Sequence, residues 1–250
     1  MSFKTVFKRY EIKYIITQEQ KNIILEAMSP HMHLDEYGRT TIRNIYYDTA
    51  SFRLIRDSLE KPVYKEKLRV RSYKTAQDDD TVFVELKKKY KSVVYKRRIS
   101  MTHKQALDWL SGNSPAPVKT QITDEIDYFI GLYDTLSPKV FLSYDREAFF
   151  ANDDEEFRVT FDDNVIFRRD ALTLSEEPYG IKILEGGLSL MEIKTSGGVP
   201  LWLTSVLSEN QIFKTSFSKY GNAYKAYIHN NVITPHNSKE EALNVYTFGN

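Results

Sequence analysis

Charged and apolar residues alternate along several short stretches of this chain. In KEKLRVRSY, Lys65, Lys67, Arg69 and Arg71 occupy every second position, with Glu66, Leu68 and Val70 between them. Successive side chains of a strand point to opposite faces, so this period predicts a β-strand with four cations on one side. The same two-faced pattern recurs in RYEIKY (Arg9, Glu11, Lys13 against Tyr10, Ile12, Tyr14) and in TVFVELKKK (Glu85, Lys87, Lys89 against Val84, Leu86). It recurs again in VVYKRRIS (Lys96, Arg98), EFRVTFDD (Arg158, Thr160, Asp162) and LMEIKT (Glu192, Lys194). Strands are predicted over roughly 3–16, 41–48, 63–74, 81–90, 92–101, 139–150, 156–162, 164–169 and 188–195.

Helical signals lie between them. Thr17 with Gln20 three residues on, and Thr102 with Gln105, read as capping boxes opening helices over 18–28 and 103–111, the second stopped by Gly112. Ile126, Phe129, Ile130 and Tyr133 form one face of a helix over 122–134. Pro200, which needs no amide partner in a first turn, opens a helix running to Glu209, and a last helix is predicted over 218–229. The expected class is α+β, with about eight strands and helices inserted among them. Residues 1–230 read as one domain and 231–250 as a C-terminal tail with little periodicity.

Composition limits what the charged faces can mean. The chain has 250 residues, 41% of them hydrophobic, and Lys+Arg 35 against Asp+Glu 34. A net charge of +1 argues against a general nucleic-acid or membrane binder, so any strong anion site must come from segregated charge. The charged strand faces carry twelve cations against five acids if Glu156 is included, so the rest of the chain is net acidic. Cysteine is absent, which excludes disulfides and Cys-ligated zinc. No apolar run is long enough to span a membrane, and MSFKTVFKRYEIKY is too charged for a signal peptide, so a cytoplasmic protein is expected. There is no GxxxxGK[ST] loop and no nucleophile elbow, and the HMH at 31–33 has no carboxylate motif around it.

Two geometries satisfy the alternation. An antiparallel sheet can pack its apolar face on helices and show its charged face to water. Alternatively the sheet closes into a barrel, with helices on its apolar outside and the charged face lining a bore, which takes about eight strands. A cation-lined bore suits a narrow, highly charged linear anion such as a phosphate chain, with Arg supplying planar forks and Lys compact charges.

RYEIKY, LRVR, VELKKK followed by YKRR, SYDREAF, FRVTFD, MEIKT and SKY occur in that order over nearly the whole chain. Together they resemble the VTC domain, the polyphosphate-polymerase branch of the triphosphate tunnel metalloenzymes. The resemblance implies an eight-stranded antiparallel barrel tunnel with helices packed outside, phosphate-chain ligands, and Mn²⁺ or Mg²⁺. It implies that Lys13, Arg69, Arg71 and Lys87 hold phosphates, with Lys96 or Arg98 as a further cation, and with Arg146 and Arg158. Glu192 matches a metal-binding carboxylate. Glu11 either joins it or pairs with a lysine. Lys219 matches a lysine at the tunnel mouth, with Ser218 beside it. Lys13, Arg69, Arg71 and Glu192 form the expected catalytic set. Arg146 shares its strand face with Val140, Leu142 and Tyr144, so a bulge or strand end is expected to aim it inward. Lys65 and Lys67 are expected at the approach to the bore, and Lys88, on the apolar side of a charge run, in solvent.

The activity implied is metal-dependent transfer of the γ-phosphoryl group of ATP to an inorganic polyphosphate chain. Hydrolysis of tripolyphosphate or a nucleoside triphosphate is the first alternative, and a polyphosphate- or inositol-phosphate-binding module without turnover is the second. The hydrolytic branch opens with ExExK, whereas this chain reads Arg9-Tyr-Glu11-Ile-Lys13, exchanging an acidic ligand for a cation. The expected partners are inorganic polyphosphate and a nucleoside triphosphate, with no nucleic acid; a membrane protein that accepts the polymer is a further hypothesis.

Overall fold

The structure is a computed structural model, and it describes residues 10–91, 93–133 and 135–228, excluding the side chains of 227 and 228. Arg9, the start of the predicted first strand and the tail at 231–250 lie outside the described residues.

The first capping box forms as its spacing requires. Strand β1 (Tyr10–Thr17) leads into α1 (Gln18–Met28), where the Gln20 amide donates to Thr17 Oγ1 at 3.1 Å and Thr17 N–H donates to Gln20 Oε1 at 3.0 Å. A short β2 (Met32–Leu34) follows, with His31 just before it and His33 within it. His31 stacks on Trp202 at 4.6 Å, and His33 Nδ1 meets Asn152 Oδ1 at 2.9 Å.

Strand β3 (Thr40–Asp48) runs into α2 (Arg53–Leu59), a helix the sequence pattern does not reveal. Phe52 at its start is left-handed and offers no cap. Asp48 caps it instead: its carboxylate accepts from the amides of Thr49 (2.8 Å), Leu54 (2.9 Å) and Ile55 (3.1 Å), and from the Tyr220 hydroxyl (2.9 Å). Burial raises the Asp48 pKa, and these four donors only partly offset it.

Next come β4 (Tyr64–Ser72), β5 (Thr81–Tyr90) and β6 (Val93–Thr102), then α3 (His103–Leu110), whose second capping box also forms. Its stop is the expected one: Gly112 adopts φ 78°, a left-handed conformation that glycine reaches without strain, and its amide donates to the Trp109 carbonyl. Helix α4 (Gln121–Leu132) buries Ile126 and Phe129, with Ile130 and Tyr133 packed beside them.

The remaining elements are β7 (Ser137–Ala151), β8 (Arg158–Arg168), β9 (Ile181–Lys182), β10 (Leu188–Thr195), α5 (Leu201–Glu209) and α6 (Lys219–Ala223), which passes into a π-helical turn at Tyr224–Ile228. The two strands expected at 156–162 and 164–169 are one. Asn164 (φ 48°) is an extra residue that bulges β8 against β7. The bulge flips the parity of β8, so Val165 and Phe167 face the same side as Asp162, while Asp163 turns to the other.

All strands join one antiparallel sheet in the order β1-β10-β8-β7-β3-β4-β5-β6, with β2 paired to β7 and β9 to β8. The expected barrel is therefore corrected in two ways: among the described residues the sheet has ten strands, and its ends β1 and β6 are not paired with each other. Two apolar layers cover its outer face. One packs α3 and α4 on β3–β6, through Leu68, Val70, Val84, Leu86, Trp109 and Phe129; the other packs α1 and α5 on β1, β10 and β8, through Ile16, Ile24, Val159, Ile193 and Leu203. Each large aliphatic side chain buried there contributes about 1.5–3 kcal/mol, enough to fix the strand register and send the alternate residues to the opposite face.

The segment before α6 bridges β1 to β4. The Thr215 amide donates to the Lys13 carbonyl on β1 at 2.7 Å, and Lys13 Nζ donates to the Phe217 carbonyl at 2.9 Å. From the other side, Lys67 Nζ on β4 donates to Ser218 Oγ at 3.4 Å. Phe217, Tyr220 and Tyr224 then pack against Tyr46, Val140, Leu142 and Phe167, filling part of the inner face with apolar side chains. Among the described residues no helix is long and apolar enough to cross a membrane.

Candidate phosphate-binding face

The strand registers place one set of alternating residues on a common concave face. Glu11 and Lys13 of β1 lie beside Lys194 and Glu192 of β10, which lie beside Arg158 and Thr160 of β8. Asp162 lies opposite Arg146 of β7. Across β3, Arg69 and Arg71 of β4 face Glu85 and Phe83 of β5, and Lys67 faces Lys87. Glu85 and Lys87 in turn face Arg98 and Lys96 of β6. With Lys65 and Lys89, the strands supply twelve cations to this face, and α6 adds Lys219. Four carboxylates share it: Glu11, Glu85, Asp162 and Glu192. The ends of the sheet approach closely enough for Glu11 of β1 to pair with Lys87 of β5 at 3.5 Å, although those strands are not hydrogen-bonded.

Each carboxylate organises several cations. Glu85 is fully buried and receives Arg69 Nε and Nη2 on one oxygen, both at 2.7 Å, with Arg71 Nε at 3.8 Å. Its other oxygen takes Lys96 at 2.8 Å and Arg98 at 3.4 Å, so both residues offered as alternatives by the sequence reach the same carboxylate. Burial alone would raise the Glu85 pKa, but Arg69, Arg71 and Lys96 outweigh it and hold the carboxyl well below its usual range. Tyr46 accepts from Arg69 at 2.9 Å, and Asn44 and Tyr144 accept from Arg71 at 3.0 and 3.2 Å, so both guanidinium planes are fixed.

Asp162 forms the second cluster. It takes a bidentate fork from Arg146, at 2.6 and 2.7 Å, and a short contact from Lys219. Burial pushes its pKa up, yet Arg146 and Lys219 bring it down to about 2. Arg146 reaches this face with no bulge of β7 between Val140 and Arg146, correcting the sequence expectation, because Val140, Leu142 and Tyr144 themselves point inward. Arg146 and Lys219 lie over the Tyr144 ring at 5.1 and 4.3 Å. Burial raises the Tyr144 pKa, but Arg71, Arg146 and Lys219 reverse the shift and leave the phenol at about 8. Tyr144 and the two organising acids, Glu85 and Asp162, were given no site role by the motifs, although the alternation already places both acids among cations.

The third cluster is Glu192, with Lys194 at 2.8 Å and Lys13 at 3.6 Å; burial opposes ionisation, but these lysines keep it ionised. Glu11 sits diagonally from it across the β1–β10 pair, and each carboxylate bears on the other's ionisation. No group of three His, Asp or Glu side chains assembles among the described residues. Two hard carboxylates, with the rest of the shell left to phosphate oxygens and water, are nonetheless the donor set that suits Mg²⁺ or Mn²⁺. Arg158 stacks on Phe150 at 4.6 Å, and Ser218 sits beside Lys219 at the start of α6.

Three expectations change. Lys67 is not outside the face but half-buried within it, next to Ser218. Lys65 joins it there, donating to the Ser58 carbonyl at 3.3 Å. Lys88, expected in solvent, pairs with Glu125 of α4 at 3.4 Å, which also holds Arg97. A separate cavity of about 390 Å³ opens on the convex side, but its Lys21 is already satisfied by Glu147 at 2.7 Å and Asp163 at 2.8 Å.

A family model for the VTC domain matches residues 8–228. Comparison with curated proteins gives no match. Among solved structures, a candidate adenylate cyclase from Bacillus halodurans superposes with a TM-score of 0.52 at 16% identity, over 85% of this chain and 94% of that one. A second, from Vibrio parahaemolyticus, gives 0.47 at 12% identity over 88% and 99%. At such identity the first likeness speaks for the fold alone.

Proposed function

The chain belongs to the VTC-domain family, and from that premise we propose that it is a phosphotransferase that extends inorganic polyphosphate with the γ-phosphoryl group of ATP, the chain being held along the concave cationic face as in a tunnel. The observation that carries this reading is the charge imbalance: among the described residues thirteen inward cations face four carboxylates, in a protein whose formal net charge is only +1. Such a face is self-repelling unless a polyanion occupies it.

In the reaction, an oxygen of the terminal phosphate on the chain attacks the γ-phosphorus. The bond to the β,γ-bridging oxygen breaks and ADP leaves with the electron pair. Arg69 and Arg71, held by Tyr46, Asn44 and Tyr144, present fixed N–H forks to non-bridging oxygens. Lys13, Lys87, Lys96, Arg98, Arg146, Arg158, Ser218 and Lys219 neutralise the rest of the chain and the leaving group. Glu192, with Glu11, would hold a divalent cation, Mn²⁺ or Mg²⁺, which when bound neutralises phosphate charge. The acceptor chain, the nucleotide donor and any membrane protein receiving the polymer belong to the same proposal.

The test is to incubate the purified protein with ATP and Mn²⁺ and resolve the products on a gel stained for polyphosphate, with ADP measured in parallel. Long chains with stoichiometric ADP are expected. Free phosphate without polymer would replace the reading with hydrolysis, and tight chain binding without turnover would replace it with a binding module. Arg69→Ala with Arg71→Ala is expected to abolish chain binding; retained binding refutes the cationic-face site.

A further inference from the structure

Most inward cations named in the motifs are anchored to a carboxylate. Lys65 and Lys67 are different: among the described residues neither has a carboxylate within ion-pair distance, and both donate to neutral oxygens, of Ser58 and Ser218. The charges that bear most on Lys67 are all positive: Lys65 and Arg69 on its own strand, Lys87 on β5 and Lys13 on β1. Glu11 on the same face is engaged by Lys87 at 3.5 Å. A half-buried ammonium group in that setting serves no packing purpose that Met or Leu would not serve at lower cost. It is accounted for by an anion that arrives from outside.

Ser218 adds a directional clue. Its Oγ accepts from Lys67 and from the Gly221 amide at 3.1 Å, so its remaining hydrogen-bonding capacity is an O–H donor. Together Lys67, Lys65 and Ser218 offer three donors and no acceptor charge, at the place where the segment before α6 bridges β4 to β1.

We propose that Lys67, with Lys65 and Ser218, forms a phosphate subsite at this seam, occupied by one phosphoryl unit of a linear phosphate chain, and that Lys67 takes up a proton when the chain binds. The proposal rests on the phosphate-chain reading above and assigns a ligand that the family motifs do not include. Burial first, then its cationic neighbours, lower the free Lys67 pKa to about 7. A bound phosphate reverses the sign of its surroundings and restores its charge. Affinity therefore falls as pH rises through neutrality, because the empty site is then neutral and must be protonated to bind.

The experiment is calorimetric titration of the full chain with long-chain polyphosphate at about pH 8, in two buffers of different ionisation enthalpy. The interior phosphates of such a chain hold no proton to release there. Wild type is expected to take up about one proton at Lys67 per binding event, beyond the uptake at Tyr144, whose phenol lies at about 8 and which every variant keeps. Lys67→Met is expected to bind about tenfold more weakly and to take up about one proton fewer, the loss of one charge-assisted contact. Lys67→Arg is expected to keep affinity and also take up about one proton fewer, because arginine stays charged. Wild-type affinity and uptake in Lys67→Met overturn the subsite. So does unchanged uptake in Lys67→Arg, which decides the matter if the Met variant does not fold. If wild type binds polyphosphate and Arg69→Ala with Arg71→Ala abolishes it while the Lys67 variants change nothing, this inference alone falls. If wild type does not bind polyphosphate, the parent reading falls and takes the subsite with it.

Discussion

Replacing Glu85 by Gln tests whether the cationic face is held together by its carboxylates. The change keeps shape and removes one charge from contact with Arg69 and Lys96, and from the vicinity of Arg71 and Arg98. At an effective dielectric near 20, each of the closer pairs is worth roughly 4–6 kcal/mol gross. Desolvation of Glu85 cancels much of that, and Lys96 and Arg98, 43% and 33% exposed, are screened by solvent. Breaking one partner of a buried network costs about 3–5 kcal/mol, and the accessible face argues for the lower end, about 3. For a chain of this size that lowers the thermal midpoint by about 6–12 °C.

Polyphosphate is expected to restore more stability to Glu85→Gln than to wild type, because the variant's freed arginines bind the chain more tightly. The sign with pH follows from the depressed carboxyl. Its stabilisation is complete above the ordinary carboxylate range, about pH 4.3, and is lost as pH falls toward the folded-state value, so the gap between variant and wild type narrows in acid. Differential scanning calorimetry with and without polyphosphate reads all three effects. A midpoint within a degree or two of wild type, with equal rescue, would refute the claim that Glu85 organises the face.

Three further variants probe other parts of the structure. Asp48→Ala strands three amides and the Tyr220 hydroxyl, at about 1–3 kcal/mol for each group left unsatisfied; amide exchange is expected to accelerate first in α2 and α6, and uniform acceleration across the sheet would contradict that. Glu192→Gln is expected to shift the Mn²⁺ dependence of turnover upward by at least about tenfold with an unchanged circular-dichroism spectrum, and an unaltered Mn²⁺ curve would remove Glu192 from the metal site. Thr215→Pro deletes the amide that bonds to Lys13 and is expected to cost about 1 kcal/mol and to weaken polyphosphate binding by displacing Ser218 and Lys219; binding at wild-type strength would show that the seam does not position them.

Much of this architecture was legible because local rules and tertiary packing agree. Thr17–Gln20 and Thr102–Gln105 satisfy their caps within four residues, so nothing distant can override them. The alternation in LRVR and VELK survives because Leu68, Val70, Val84 and Leu86 are fully buried on the opposite face. What stayed hidden depends on contacts between distant residues. Helix α2 is capped by a carboxylate from the preceding strand and a hydroxyl more than 170 positions away. The parity change at Asn164 leaves no mark on the hydropathy pattern beyond a break that reads as two strands. Tyr144 looked like a core residue because half of its face is core: Val140 and Leu142 pack against the C-terminal aromatics while Arg146 meets Asp162. Lys67 looked peripheral because no pattern along β4 shows that the segment from Thr215 to Ser218 crosses in front of it.

The distribution of the four carboxylates explains how such a face can fold before any phosphate arrives. Glu85 and Asp162 are buried and bound to arginine forks, so each holds guanidinium groups in place against the strands behind them. Among the described residues Glu192 and Glu11 form ion pairs with lysines alone, whose point charges swing away more readily than a planar fork. The carboxylates of the arginine clusters thus act as permanent counter-charges, and on the proposed reading those of the lysine clusters are free to exchange their lysines for a divalent cation when the phosphate chain takes up the lysines. Lys65 and Lys67, which pair with no carboxylate among the described residues, lie among cations whose repulsion a phosphate chain, on the proposed reading, relieves. On the proposed reading, that ordering puts the largest gain from phosphate beside Ser218, where the segment before α6 bridges β1 to β4.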